Sequence, residues 1–302
     1  MIYNNMTELV GNTPVVQLQK IPDPKGARVY VKLEVFNPSG SVKDRAALSM
    51  IEGAEKRGEL KAGYTIIEPT SGNTGIGIAM IAAAKGYKTI IIMPSNATRE
   101  RVKILKSYGA KVILTPEDEK MKGSIRKAEE LLAEIPDSYM PNQFVNMDNP
   151  RIHESTTAKE IIADFPDGLD VFVSTAGTGG TISGAGKILK QHYPDLRIYV
   201  VEAKGSPVLA GGAPGPHKIV GTGPGFIPDT LDQTIYDEIL HIEDEEAFQM
   251  VRDLGSKEGI FAGVSAAAAV KKAVEKAKLL TTDQRVLVMI PDSGERYLSM
   301  DL

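Results

Sequence analysis

Short apolar runs alternate with helix-period segments along nearly the whole chain, and the links between them are short. Thr89–Met93, with three consecutive isoleucines, is the kind of run that parallel strands show when buried on both faces. Val15–Leu18, Val29–Val35, Tyr64–Glu68, Lys111–Leu114, Asp170–Ser174, Arg197–Glu202 and Arg285–Ile290 read as further strands. Helical spacing of apolar residues marks Ala46–Ala54, Ile76–Lys85, Arg99–Tyr108, Ser124–Glu134, Ile152–Asp164, Ile182–His192, Asp244–Glu258 and Ser265–Leu279. Thr7–Val10 reads as a short helix stopped by Gly11. Strands and helices in alternation specify an α/β fold with mainly parallel sheets and helices on their faces. The stretch 140–150 is polar and bounded by prolines, and reads as a crossing between two domains, which 302 residues can supply.

Composition removes several classes of function. The net charge of −4 offers no footprint for nucleic acid or an anionic membrane. No apolar stretch is long enough to span a bilayer, and the first residues lack the basic start and apolar core of a signal peptide, so a cytoplasmic protein is expected. Absence of cysteine excludes disulfides, thiolate metal sites and a cysteine nucleophile. His153, His192, His217 and His241 are scattered without metal-ligand spacing and read as surface or loop residues, so no metal site is expected.

Four loops fall at the C-terminal ends of expected parallel strands, the edge where open α/β sheets bind ligands. In the first, Asn37–Arg45, Pro38 and Gly40 mark a turn, Ser41 is the candidate N-cap, and Lys43 lies in the first turn of a helix. The helix dipole disfavours a cation there. A lysine so placed, neutral or covalently bound, can act as nucleophile and base. The second loop, Thr70–Gly75, gathers hydroxyls, an amide and a helix N-terminus, a trap for a substrate carboxylate, although Ser and Thr are also ordinary caps. Asn73 is placed to bond a phenolic oxygen. The third, Ala176–Thr181, has glycines that let backbone N–H groups approach closely and two threonine hydroxyls, which reads as a phosphate cradle or as no more than a tight strand-to-helix turn. In the fourth, Asp292 and Ser293 are both candidates to face inward, one charged and one neutral. The loop Lys204–Ile227, rich in Gly and Pro, has the length of a functional lid or of a disordered segment.

The third loop admits a rival, a dinucleotide site with Glu202 on the ribose. The fingerprint for that site requires glycine at position 182, which is Ile182. Hydroxyls beside glycines suit one terminal phosphate monoester, and with a lysine at a strand end they suggest pyridoxal 5'-phosphate (PLP).

Together, Asn37–Arg45, Thr70–Gly75, Gly177–Thr181 and Pro291–Ser299 resemble the cysteine synthases (O-acetylserine sulfhydrylases) and the related cystathionine β-synthases, over essentially the whole chain. The resemblance implies fold type II, tryptophan synthase β-like: two doubly wound α/β domains with PLP in the cleft between them. A smaller, mobile domain over 43–147 would hold the substrate carboxylate, and 1–42 with 148–302 would form the larger, phosphate-binding domain. Lys43 would carry the cofactor and act as catalytic base. Asn73 would contact the ring hydroxyl oxygen, Gly177, Thr178, Gly179, Gly180 and Thr181 the phosphate, and Ser293 the pyridine nitrogen. Thr70, Ser71, Asn73, Thr74 and Gln143 would bind substrate, with Gly221 in a segment 215–228 that lines the active-site mouth.

The activity implied is β-replacement on O-acetylserine or serine through an aminoacrylate, forming L-cysteine from sulfide. Two features depart from that pattern. Asp292 is more like the cystathionine β-synthases, and Ser265–Ala268 replaces a more common Ser-Ser-Gly-Ala. The alternatives are a cystathionine β-synthase taking homocysteine and, more distantly, an NAD-dependent oxidoreductase. The resemblance also implies a homodimer and serine acetyltransferase as a docking partner.

Overall fold

The computed structural model describes residues 2–300. In chain order the strands are β1 (Val15–Gln17), β2 (Arg28–Leu33), β3 (Thr65–Pro69), β4 (Lys88–Pro94), β5 (Lys111–Thr115), β6 (Ser138–Tyr139), β7 (Val171–Thr175), β8 (Arg197–Ala203), β9 (Glu238–Ile242) and β10 (Arg285–Ile290). The α-helices are α1 (Lys43–Arg57), α2 (Asn73–Lys85), α3 (Arg99–Ser107), α4 (Lys120–Glu134), α5 (Asp148–Ile152), α6 (Ala158–Asp164), α7 (Gly180–His192), α8 (Asp244–Asp253) and α9 (Val264–Ala277). Among the described residues no helix is long and apolar enough to cross a membrane.

Met1–Val10 and Asn37–Asn149 form one compact unit. Its sheet has the order β5-β4-β3-β6, with every pairing parallel. Side chains alternate across the sheet with period two. Ile66, Ile91 and Met93 pack with Ala47 and Ile51 of α1, Ile76 of α2 and Leu105 of α3. Ile67, Ile90 and Ile92 pack on the opposite face against Ala128 and Leu131 of α4. The isoleucine-rich runs are therefore buried from both sides. The short turn Met6–Leu9 packs against α2, which is why the N-terminal residues group with this unit.

Gly11–Phe36 and Pro150–Leu302 form the second unit. Its sheet runs β1-β2-β10-β7-β8-β9, antiparallel at β1–β2 and parallel elsewhere. Val29, Val31, Val173, Val201, Val286 and Val288 pack with the alanine-rich α9 and with α8. Ala266–Ala269 are all fully buried, so the small side chains let α9 lie close on the sheet. On the other face Phe172, Ile198, Val200 and Leu287 meet Ala158 and Ile161 of α6 and Ile182, Ala185 and Leu189 of α7.

The two strands that sequence patterning does not reveal are β6 and β9. β6 has two residues, too few to show alternation. β9 is an edge strand of mixed burial that follows directly from a polar loop. The helices read over 152–164 and 244–258 each contain a π-helical turn, His153–Thr157 and Leu254–Glu258.

Candidate active site

The Asn37–Arg45 loop is bolted shut before α1 begins. Gly40 adopts φ 88°, a left-handed conformation that glycine takes without strain, and its N–H donates to the Asn37 carbonyl at 2.8 Å. Asp44 is fully buried; one carboxylate oxygen accepts the Ser39 N–H at 2.6 Å, and the other accepts the Ser39 hydroxyl. Ser41 does not occupy the N-cap. Val42 stands there, and the Ser41 hydroxyl accepts the Lys43 N–H at 3.3 Å, because the Asp44–Ser39 clasp closes the turn one residue later. Lys43 is the first residue of α1 and is half-buried. Gly77 of α2 lies against it. A Cβ at Gly77 would stand 3.1 Å from the Lys43 carbonyl and 3.3 Å from the Ala47 Cβ, so the absence of a side chain seats the first turn of α1 on α2.

The turn from β3 into α2 is equally fixed. Thr70 donates its N–H to the Ile92 carbonyl at 2.9 Å, and its hydroxyl accepts the Gly72 N–H at 3.2 Å. Arg101 donates to the Ser71 carbonyl at 2.8 Å. Asn73 opens α2, and the buried Thr74 donates its hydroxyl to Gln143 Oε1 at 2.5 Å. Asn149 Nδ2 donates to the Gln143 carbonyl at 2.9 Å. Thr70, Ser71, Asn73, Thr74 and Gln143 thus come together at the positive end of a helix of 13 residues, an arrangement suited to a carboxylate.

Sequence reasoning passed over Glu68, which looks like one more residue of a buried strand. Its carboxylate accepts the N–H groups of Asn142 at 2.9 Å and Gln143 at 3.3 Å. Burial pushes its pKa up to about 7, against the pull of those two bonds.

In the second unit the expected cradle lies between β7 and α7. Gly179 has φ 81°, and a Cβ there would meet Leu231 at 2.5 Å. A Cβ on Gly177 would meet the Gly221 carbonyl at 2.5 Å. Gly180 starts α7, and its N–H lies 3.4 Å from the Thr178 hydroxyl. The turn is strapped from two sides. Thr222 Oγ1 and the Gly223 N–H both donate to the Ala176 carbonyl, at 3.0 and 3.1 Å, and Thr230 Oγ1 donates to the Thr178 carbonyl at 2.6 Å. Gly221 is therefore brought beside Gly177–Thr181, and part of the loop 204–227 is a strap.

His153 lies against this turn and is neither a surface nor a loop residue. It is buried in the π-helical turn, with Nδ1 2.9 Å from Thr157 Oγ1 and Nε2 3.3 Å from Thr181 Oγ1. A Cβ on Gly184 would overlap the Pro150 carbonyl, so α7 and that turn approach closely only because 184 is glycine. Helical spacing alone gave no hint of a turn widened to hold a histidine.

At the end of β10, Asp292 is buried and its Oδ2 accepts the Tyr297 hydroxyl at 2.5 Å. Ser293 follows with extended backbone, φ −98° and ψ 158°, so its side chain leaves on the opposite side. Of the two candidates, Asp292 is committed to Tyr297 and Ser293 is the half-buried one. Glu202 is also committed. It accepts the N–H groups of Leu209 at 2.9 Å and Ala210 at 3.2 Å and lies 3.1 Å from His241 Nε2, which leaves it anchoring a loop and not reading a ribose.

These residues fit PLP. A Cβ at Gly177 would strike the Gly221 carbonyl and one at Gly179 would strike Leu231, so only glycine lets this turn keep its shape at the start of α7, a helix N-terminus of the kind that suits a phosphate. Neutral hydroxyls at Thr178, Thr181 and Ser293 bring no charge that would repel phosphate or the ring.

Comparison with known proteins agrees. Residues 6–292 match the family described as "Pyridoxal-phosphate dependent enzyme". The chain is 55% identical to a probable cysteine synthase of Bacillus subtilis, over 100% of this chain and 98% of that one. The cysteine synthase of Entamoeba histolytica superposes with a TM-score of 0.95 at 40% identity, covering 100% of this chain and 90% of that one. An O-acetylserine-dependent cystathionine β-synthase from Helicobacter pylori does so with a TM-score of 0.92 at 41% identity, over 99% and 98% of the two chains.

Proposed function

We infer the activity from one premise: the chain belongs to the pyridoxal-phosphate-dependent enzymes and, within them, to the cysteine synthase family. We propose that it replaces the acetoxy group of O-acetylserine with sulfide, giving L-cysteine and acetate. One observation carries this reading. The Lys43 turn of α1 is seated on α2 at Gly77, and the Thr70–Thr74 turn that leads into α2 meets Gln143 through Thr74. A substrate held there by its carboxylate has its α-carbon delivered to a fixed amine.

Lys43 is the amine that would hold the cofactor, and Gly177, Thr178, Gly179, Gly180 and Thr181 would take its phosphate. Asn73 would bond its ring hydroxyl oxygen, and Ser293 its ring nitrogen. When bound, PLP supplies the electron sink that makes the substrate α-proton removable and lets the β-substituent depart. Lys43 takes that proton as general base and returns it after sulfide has added. Thr70, Ser71, Asn73, Thr74 and Gln143 hold the substrate carboxylate, and Gly221 lines the substrate side of the strap. The hydroxyl of Ser293, a neutral partner, limits the sink to a strength suited to loss of a β-substituent. A cytoplasmic homodimer that docks the C-terminal tail of serine acetyltransferase completes the proposal; its mass in solution and a pull-down with that tail test those two parts.

Asp292 favours a second reading, cystathionine formation with homocysteine as the thiol, the activity named for the H. pylori neighbour. Steady-state rates on O-acetylserine with sulfide and with homocysteine decide. The cysteine synthase reading expects sulfide to be the better substrate by a wide margin. A higher specificity constant for homocysteine overturns it.

A further inference from the structure

We propose that Glu68 is a positioning residue for the amino-acid substrate: its buried carboxylate holds the backbone of Asn142 and Gln143 so that the Gln143 side chain is presented to Thr74. The proposal rests on the reading of Gln143 as a ligand of the substrate carboxylate.

Glu68 is 1% exposed and lies near the end of β3, two residues before Thr70. Its register partner is Ile91, and it shares its face of the sheet with Ile66, in the cluster that packs α1 and α2. The side chains packed around it on that face are mainly apolar, Ile, Ala, Met and Leu, and a carboxylate is an expensive occupant of it. Packing therefore does not explain the residue. Its bonds do. Both carboxylate oxygens are used, one by the Asn142 N–H at 2.9 Å and the other by the Gln143 N–H at 3.3 Å.

The backbone at this point needs holding. Asn142 has φ 51°, a left-handed conformation that non-glycine residues adopt uncommonly. Two N–H groups pointing the same way out of that bend form a natural seat for an anion. Here the protein supplies its own anion, from the strand that leads into the carboxylate-binding turn. The next side chain along, Gln143, has its Oε1 on the Thr74 hydroxyl at 2.5 Å. A chain of contacts thus runs from Glu68 through the 142–143 backbone to Thr74, entirely within one compact unit. Removing the charge would let Asn142 relax and Gln143 turn away, with no atom of Glu68 touching the substrate.

The test uses the full-length, PLP-loaded protein at pH 8 with Glu68→Gln, Gln143→Ala and the double variant. Glu68→Gln keeps one acceptor and turns the other into a donor facing an N–H. Its KM for O-acetylserine is expected to rise roughly tenfold, as for loss of one hydrogen bond to a charged group, with kcat within about threefold. Amide exchange over residues 140–146 should quicken by a similar factor while that of α4 does not change. The double variant should be no worse than Gln143→Ala. Wild-type KM and wild-type exchange in Glu68→Gln overturn the proposal, as does a loss confined to kcat. If Gln143→Ala leaves KM unchanged, the reading of Gln143 as a ligand is wrong; the exchange measurement then still decides whether Glu68 holds the segment. Should Glu68→Gln fail to accumulate, Glu68→Asp, which keeps the charge but shortens its reach, is expected to move KM and exchange in the same directions.

Discussion

Thr74 gives its hydroxyl proton to Gln143 Oε1 at 2.5 Å, and both side chains are buried. Thr74→Val removes that donor at nearly constant volume and strands a buried amide oxygen, at a cost of about 1–3 kcal/mol. The expected result is a rise in KM for O-acetylserine of roughly tenfold, one such cost converted to a ratio. Steady-state kinetics at saturating sulfide measure it.

Lys43→Ala should leave a folded protein that turns over at least about 10³-fold more slowly, the scale on which loss of a positioned base and nucleophile is felt. Borohydride treatment followed by peptide mapping should find a pyridoxyl group on Lys43 of the native protein and on no residue of the variant. A label elsewhere in the native protein would refute the assignment.

Gly179→Ala combines two penalties. The backbone at φ 81° is strained for alanine, and the new methyl would lie 2.5 Å from Leu231 Cβ. A loss of about 1–3 kcal/mol in stability is expected, with a larger loss of bound PLP after dialysis. Urea unfolding and the cofactor-to-protein absorbance ratio report the two separately.

Glu68 gives a pH dependence whose sign can be worked out. Its folded pKa is raised to about 7 from an ordinary 4.5, mainly by burial. The folded protein therefore binds more protons than the unfolded chain between those values. The stability this contributes is fully present below the lower value and is lost as pH rises through the upper one. The urea midpoint of the wild type should accordingly fall from pH 5 to pH 8 relative to that of Glu68→Gln. Parallel curves for the two proteins would show that Glu68 does not titrate there.

The α/β alternation was legible because buried parallel strands leave long β-branched runs such as Ile90–Ile92, and each run sends its loop to the same sheet edge. Lys43, Thr70–Thr74 and Gly177–Thr181 could be singled out as candidates because hydroxyls, glycines and a lysine gather at strand ends there. Gln143 and Gly221 rested on family resemblance, since neither carries a local signature. Glu68 and His153 were invisible for another reason. Each is hydrogen-bonded to the backbone or side chain of a residue distant in sequence, Asn142 and Thr181, and a one-dimensional pattern does not record such partners. The choice between Asp292 and Ser293 likewise depended on Tyr297, whose hydroxyl claims the carboxylate.

β2 and β10 are hydrogen-bonded neighbours, Arg28 opposite Arg285 through Leu33 opposite Ile290, and β10 also pairs with β7. The middle of the larger sheet is thus filled by the last in chain order of the described strands, while every strand of the smaller sheet is made between residues 65 and 139. Until β10 is made, β2 and β7 each wait with an open ladder edge, the surface on which nascent chains stick to one another. Termination after residue 139 but before residue 285 would accordingly leave a product whose smaller sheet has all its strands and whose larger one lacks its centre, the kind of fragment that proteases and holding chaperones clear.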